Sequence, residues 1–578
     1  MLHFASCCRL LFCLLLSTAA FAQSGTISGL ITDAENGEPL IAATIQAGDY
    51  GTVTDYEGKY ELELPAGNYK LVINYLGYSS VSSQVQIQAG NNTIYDVALA
   101  EGATLLQTAT VSSSKFEKPL GEVTVSLEVL RPDLIESTGK LTLDDALQKV
   151  PGVTVIDGQA NIRGGSGYSQ GAGSRVLLLM DDVPILQADA GFPQWDDVPI
   201  EVIEQVEVVK GASSALYGSS ALNGIVNVRT AYAKSEPITR GSVFSTFHLS
   251  PQREEIKWWD RSPRSLGASL SHRQKFDKLD LVVGGYYLND ESFRKDFYRK
   301  FGRFNFNVRH RATDRLTYGL AGNLNAGKSG SYFYWSGLET AYIGDTSTLA
   351  TRERFRYNLD PTLTYYDNND NRHRFLGRFY SVDNDNDRNQ SNQSNLYYAE
   401  YQFQKRFTES DLVLTSGLVA SGTGVTAELY GDTTFTSQNF AGYVQLDKKF
   451  FDKLNASVGF RYESNVLNNP GFSYVLNNVP RTVAPSEESE SRPVFRVGLN
   501  YQATEATFFR ASWGQGYRYP TIAEKYIFTN AGGFFIQPSP DLGSETGWSA
   551  EFGIKQGYRF GAFEGFFDAS AFYMKYED

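Results

Sequence analysis

LDDALQKVPGVTV at 143–155, NIRGGSGYSQGAGSRVLLLMDDVPI at 161–185 and IEVIEQVEVVKGASSALYGSSALNGIVNVRT at 200–230 form one glycine-punctuated run. Leu143, Ala146 and Leu147 recur at i, i+3 and i+4, so a short helix is expected, with Thr142 as N-cap and Pro151-Gly152 as its stop. Val176–Met180 and Val202–Val209 are β-rich, and Gly211, Gly218 and Gly224 mark tight turns between strands. Val123, Val125, Leu127 and Val129 alternate just upstream and predict the first strand of this unit, which spans 121–232.

On both sides the composition changes. After Tyr232 one rhythm continues to the end of the chain. Leu454, Ala456, Val458, Phe460 and Tyr462 alternate with Asn455, Ser457, Gly459, Arg461 and Glu463. Phe304, Phe306 and Val308 alternate with Arg303, Asn305, Asn307 and Arg309, and Phe495, Val497, Leu499 and Tyr501 with Arg496, Gly498 and Asn500. One apolar, aromatic face and one polar face is the pattern of a transmembrane barrel. Short turns at Phe276–Lys278, Ala312–Arg315, Thr408–Asp411, Phe451–Lys453 and Ala503–Ala506 interleave with longer loops. The loops are expected at Pro251–Pro263, Lys328–Thr351, Thr426–Thr436, Asn465–Ser491 and Gln515–Thr546. Alternating short and long connections give periplasmic turns and extracellular loops, and about fifteen strands within 240–578.

Upstream, 26–100 reads as a small β-sandwich with strands at Thr26–Ile31, Ile41–Gln46, Lys59–Leu64, Tyr69–Tyr75 and Ser83–Ile87. Residues 101–120 form a Ser/Thr-rich linker in which Thr108, Ala109, Thr110 and Val111 have strand propensity but few apolar neighbours. Residues 1–22 have the features of a secretory signal: Arg9, the apolar Leu10–Leu16, then Ala20-Phe21-Ala22 before Gln23. Cys7, Cys8 and Cys13, the chain's 3 cysteines, all lie inside it, so the exported chain is expected to hold no disulfide. None follows the apolar core as a lipoprotein anchor requires.

The 143–230 motifs, with their VPGV, NIRGG, LLLMDDVPI and ALYGSSALNGIVNVRT pieces, resemble the plug domain of TonB-dependent outer-membrane receptors. GYRYPTIAEKY at 516–526 and SPDLGSE at 539–545 resemble signatures of the same receptors' barrels, and GTVTDYEGKYELELPAGNYKLVINYLGY at 51–78 resembles the carboxypeptidase-regulatory-like sandwich. Asp182 stands where that plug commonly has glycine and Ala212 where proline is common; neither is expected to carry chemistry. Ser539 and Ser544 depart likewise from the usual asparagine and proline. The implied fold is mainly β: a sandwich, an α+β plug and an antiparallel transmembrane barrel in the outer membrane. The resemblance implies uptake of a scarce, bulky nutrient, an iron chelate or cobalamin, with a glycan importer or a non-transporting adhesin as alternatives. It also implies that Thr108–Val111 is the TonB box, which adds as a strand to a periplasmic energy transducer.

Other classes find no support. Net charge is −13, against a nucleic-acid partner. The 5 histidines, His3, His248, His272, His310 and His373, show no metal-ligand spacing, so neither catalysis nor a cofactor is expected. The Gly164–Gly173 run lacks the Lys-Ser/Thr end of a phosphate loop. Asp383, Asp385 and Asp387 invite a calcium reading, but Arg388 stands in place of the needed glycine, and a solvated loop is expected. Arg163, with Gly164 and Gly165, is expected to dock the plug by gripping barrel carboxylates such as Glu463 or Glu551 bidentately. Tyr168, Gln170, Tyr332, Tyr334 and Trp335 are candidate ligand contacts, the last three equally candidates for an interfacial girdle against membrane lipid. Plugged transporters have about 22 strands. The chain is therefore expected to be a fragment of a longer protein, its C-shaped wall ending in two unpaired strands.

Overall fold

The computed structural model describes residues 24–577 except 35–36, 41–42, 49, 56, 76–77, 79–80, 100–109, 112–114, 116–117, 133–141, 166–171, 234–235, 477, 505, 532 and 561–562. The signal segment, Thr108, Ala109, Tyr168 and Gln170 thus lie outside the described residues. The chain divides into two compact units, Met1–Thr110 with Arg559–Phe566, and Val111–Tyr558 with Phe567–Asp578.

In the first unit two four-stranded sheets face each other across one apolar core. Ser24–Asp33 pairs with Lys59–Pro65, Asn92–Ile94 and Val97–Leu99; Thr44–Ala47 pairs with Tyr50–Val53 and Gly67–Asn74, which continues to Val81–Ile87. Inward-alternating Ile27, Ile31, Ile45, Leu64, Leu71 and Ile73 fill the space between them. The strands Tyr50–Val53, Asn92–Ile94 and Val97–Leu99 escaped the sequence reading because three or four residues are too few to show an alternation.

The second unit contains the plug and the wall. The plug is a five-stranded mixed sheet, ordered Ser126–Leu130, Ile203–Lys210, Gly224–Thr230, Val176–Met180, Val183–Pro184. Val176–Met180 lies parallel to Gly224–Thr230 and is buried on both faces, which is why VLLLM shows no alternation. Helix α1, Leu143–Leu147, covers one face through Leu143, Ala146 and Leu147. Thr142 takes the N-cap backbone conformation, but its Oγ1 binds the Asp145 carboxylate (3.3 Å) rather than a backbone N–H. Two wall residues, Tyr380 and Val382, complete this core.

The wall is one 15-stranded sheet in strict sequence order, from Ile238–Phe247 to Phe563–Glu577. Its burial is inverted relative to a water-soluble sheet. Phe304, Leu418, Phe440, Tyr462 and Phe552 point outward and are 52%, 66%, 57%, 52% and 59% exposed. Arg303, Asn305, Arg461, Glu463 and Asn500 point inward and are buried. An apolar exterior around a polar interior is stable only with lipid outside. Among the described residues the first and last strands each have one neighbour in the sheet order.

Short turns close one rim; Asp277, Asp411 and Asp452 take positive φ there, a conformation Asp tolerates, and Phe451 beside Asp452 takes it too. The opposite rim carries the long loops, but the strands reach further into them than expected. Leu316–Ser331 and Ala350–Tyr366 shorten the expected Lys328–Thr351 loop at both ends. Asp383 and Asp385 lie on Arg372–Asn386, not in a loop. Beyond the lipid both strand faces are polar, so alternation fades while the hydrogen-bond ladder continues. The 470–485 connection holds a hairpin, Phe472–Leu476 with Val479–Val483. The 519–544 connection holds helix α2, Ile522–Tyr526, started by a capping box of Thr521 and Glu524.

Candidate functional site

The lumen brings plug and wall together through charge. The turn after Trp195 presents three acids to inward-facing arginines of the strands Tyr298–Thr313 and Ala350–Tyr366. Asp196 lies 2.8 Å from Arg354 and 3.4 Å from Arg299. Asp197 accepts from Asn325 (2.9 Å), Arg356 (3.1 Å) and the Tyr380 hydroxyl (2.7 Å). Glu201 accepts from Arg303 (2.5 Å) and Asn305 (2.6 Å), and the Asp196 carbonyl takes a second Arg303 N–H at 2.7 Å. Burial would raise the Asp196 carboxyl, but Arg354 and Arg299 outweigh it and hold it below the usual range.

A second group centres on Asp182, which the sequence reading set aside as carrying no chemistry. It is buried and 2.9 Å from Arg229, 2.8 Å from Arg374 of the wall and 3.0 Å from the Asn227 amide. Burial pushes its carboxyl up; the two guanidinium groups more than reverse this, holding it well below the usual range. With φ at 76° it takes the backbone shape of the glycine it replaces and adds a charge anchored to the wall. Ala212 also makes a contact proline lacks: its N–H donates to the Ser549 hydroxyl (3.0 Å). Arg378 of the wall donates to the carbonyls of Val183 (2.9 Å) and Pro184 (2.8 Å).

On the opposite side Arg163 meets Glu551 at 2.5 Å and stacks 4.2 Å over Phe572. The contact is single, not bidentate, because the other Glu551 oxygen takes Arg510 Nε at 2.8 Å. Glu463, the other suggested partner, pairs instead with Arg461 and the Asn439 amide (2.8 Å). Arg163 and Gly164 both have positive φ, which lifts the guanidinium out of the turn. At Gly165 a Cβ would lie 2.1 Å from the Tyr576 hydroxyl, so a larger residue there would have to displace that side chain. Arg175 and Arg518 share Glu545, and Arg518 also holds the capping-box Glu524 (2.5 Å).

The strand Thr110–Val111 leads into the plug through Lys115, Lys118 and Glu122. Lys115 pairs with Glu400 (2.8 Å) at mid-height of the wall, and Lys118 and Glu122 with Asp447 (2.6 Å) and Lys449 (2.9 Å) near the short-turn rim. Tyr332, Tyr334 and Trp335 sit at the long-loop rim. Tyr332 packs on Phe297, and Trp335 bridges to Gly344 and is 59% exposed. The partners of Asp182, Asp196, Asp197 and Glu201 lie far along the chain, but the residues had a signal: paired acids at 181–182 and 196–197 interrupt apolar runs.

A family model described as "TonB-dependent Receptor Plug Domain" matches residues 119–225, and "TonB dependent receptor-like, beta-barrel" matches 251–578. The chain belongs to the TonB-dependent receptor family. Receptors of this family are outer-membrane β-barrels, and a "CarboxypepD_reg-like domain" model matches 27–111 of this one. Among relatives, the vitamin B12 transporter BtuB of Vibrio vulnificus is 30% identical over 262 residues, 44% of this chain and 43% of its own length. The TonB-dependent receptor P26 of Formosa agariphila is 27% identical over 285 residues, 45% of this receptor and 28% of its own length. The chain thus matches less than half the length of either relative. The ferric-catecholate import receptor Fiu of E. coli K12 aligns with a TM-score of 0.62 over 82% of this receptor and 77% of its own chain, at 14% identity. The Serratia marcescens hemophore receptor HasR, solved with its hemophore and heme, gives 0.62 over 78% and 73%, also at 14%. These two likenesses concern the fold.

Proposed function

We propose that this receptor imports a scarce, bulky nutrient across the outer membrane, its cargo a corrinoid or an iron chelate. Thr108–Val111 serves as the box, added as a strand to a TonB-type transducer in the periplasm, and pulling on it moves the plug. The observation that carries the reading is the plug–wall interface. Much of the plug's hold on the wall is through buried charge pairs such as Glu201–Arg303 and Asp182–Arg374. Paired charges can be exchanged one by one for water, whereas an extended apolar interface would have to part at once. The 30% identity to a vitamin B12 transporter favours the corrinoid. Ligand contact falls to the long-loop rim, with Tyr332, Tyr334 and Trp335 offering flat faces and Tyr168 and Gln170 polar contacts from the plug.

The test is uptake of labelled cyanocobalamin and growth on ferric chelates or glycans in a strain lacking the gene, complemented with wild type or Ala109→Pro. The variant should bind cargo normally and transport none, because proline removes a donor from the added strand. Restoration of glycan growth alone would move the receptor to the glycan importers. Wild-type transport by Ala109→Pro would remove the box assignment.

A further inference from the structure

Between the plug and the wall strands from Tyr298–Thr313 to Arg372–Asn386 lies a cavity of about 230 Å³ on the short-turn side. Thr317, Tyr366 and Arg372 line it from strand ends beside the short turns, and Tyr232 at its edge is 44% exposed, so it opens at that rim. The charged groups that bound it do not balance. Lys115 is matched by Glu400, and Asp360 by Arg378. The rest are the guanidinium groups of Arg229, Arg309, Arg372 and Arg374 against the carboxylates of Asp181 and Asp182. Asp182 is shared by Arg229 and Arg374, and Asp181 accepts from the Thr230 N–H (3.0 Å) and hydroxyl (2.6 Å).

Among the described residues Arg309 forms no ion pair; its guanidinium lies 4.0 Å over the Tyr232 ring. Arg372 donates to the Lys115 carbonyl and the Gln402 amide oxygen, neutral acceptors both at 3.1 Å. Two further acids leave the imbalance standing: Asp280, opposite Arg309 in the ladder, is 3.9 Å from Lys275, and Glu207, which acts on Arg229, does not line the cavity. Hydroxyls complete the lining. The register sets Thr317, Thr364 and Arg374 in one inward row and Arg309, Gly319 and Thr362 in the next, and residues paired in this way share a face. Gly319 leaves its row open: a Cβ there would lie 3.0 Å from Arg309 Cγ and 3.2 Å from Thr362 Oγ1.

Like charges crowded into a half-enclosed space repel, and the low local dielectric magnifies the cost. Guanidinium forks and threonine hydroxyls together present donors at several angles, which suits an ion bearing oxygens on all sides. The volume exceeds the roughly 10–15 Å³ that one water needs and falls short of the roughly 300–1,000 Å³ of pockets that enclose drug-sized ligands. We infer that this cavity binds a compact tetrahedral oxyanion, phosphate free in the periplasm. The ion ties the plug, through Arg229, to two wall strands, through Arg309 on one and Arg372 and Arg374 on the other. The site goes beyond the importer reading and is independent of the cargo's identity.

The experiment follows thermal unfolding of the purified receptor in detergent while sodium phosphate replaces chloride at constant ionic strength. The midpoint should rise and saturate with phosphate and with sulfate, and show no saturable rise with acetate. Phosphate also stabilises proteins by exclusion from their surfaces, but that effect neither saturates at millimolar concentration nor depends on one arginine. Arg309→Gln should raise the half-saturating concentration about tenfold or more, for the loss of a hydrogen bond between charged groups. Arg309→Lys should fall between, keeping the charge without the fork. Thr364→Val, expected to weaken binding several-fold, serves should Arg309→Gln fail to fold, which heat-modifiable gel mobility reports. Lys328→Gln, at the long-loop rim where Lys328 pairs with Glu353, should change nothing. Dimethyl phosphate, standing for a diester carried on a larger solute, should bind about tenfold more weakly or less still, with one charge fewer; parity would overturn free phosphate as the ligand. No saturable rise in wild type, an equal rise with acetate, or half-saturation unchanged in both Arg309→Gln and Thr364→Val overturns the site.

Discussion

Glu201→Ala tests whether plug–wall charges hold the plug in place. Glu201 and Arg303 side chains are each 2% exposed, and the carboxylate takes two Arg303 nitrogens and the Asn305 amide. Truncation strands a buried guanidinium whose remaining partner is the Asp196 carbonyl at 2.7 Å. Breaking one side of such a pair costs about 3–5 kcal/mol. Removing both, in Glu201→Ala with Arg303→Met, should cost about 1 kcal/mol, mainly the orphaned Asn305 amide. Hydrogen exchange of the Asp196–Val202 peptide reads the local opening, because the Val198 and Val202 amides bond within that turn. The single variant should exchange about two to three orders of magnitude faster than wild type, at one decade per 1.4 kcal/mol. The double variant should fall within about a decade of wild type. Equal acceleration in single and double variants would show that the two charges are independently solvated, and the reasoning would fail.

Arg163→Ala leaves Glu551 paired with Arg510 but loses the Phe572 stack, so cells should become several-fold more permeable to vancomycin-sized antibiotics; unchanged permeability and transport would reduce Arg163 to a space filler. Asp182, with its native carboxyl held below the ordinary range, contributes stability that is present above its unfolded pKa of about 3.9 and lost as pH falls through the lower native value. Protection of the 181–183 amides should therefore be flat from about pH 7 to 4 in wild type and already reduced at neutral pH in Asp182→Asn, as exchange at two pH values will show. Gly218→Ala places a methyl 2.7 Å from Glu463 Oε2 at φ +85° and ψ −156°, a conformation essentially reserved for glycine, with a strain of about 1–3 kcal/mol before the overlap is counted; the midpoint of thermal unfolding in detergent should drop.

The wall was legible because a transmembrane strand must show lipid one face and lumen the other, and residues such as Phe304 and Arg303 record that choice locally. The plug was legible by resemblance, its buried strand Val176–Met180 carrying no alternation of its own. What could not be read was partnership. Arg163 faces Glu551 across 388 residues, and Asp182 faces Arg374 across 192. A sequence shows that a charge stands at an interior position, and the three-dimensional register decides which opposite charge reaches it. Asp182 was passed over for this reason: beside its motif it is a departure, and only beside Arg229 and Arg374 is it an anchor. The loops were overestimated because composition reports where lipid ends, not where the ladder ends.

The plug core counts Tyr380 and Val382 of the wall among its own members. A stopper with a finished interior would slide out intact, but this one leaves part of its interior behind. Parting from those two side chains forfeits burial of a few kcal/mol, comparable to much of the 5–15 kcal/mol by which a domain is stable at all. The Tyr380 hydroxyl, which donates to Asp197, goes with them. Drawing the plug away from the wall would therefore open part of the plug's own core along with its ion pairs.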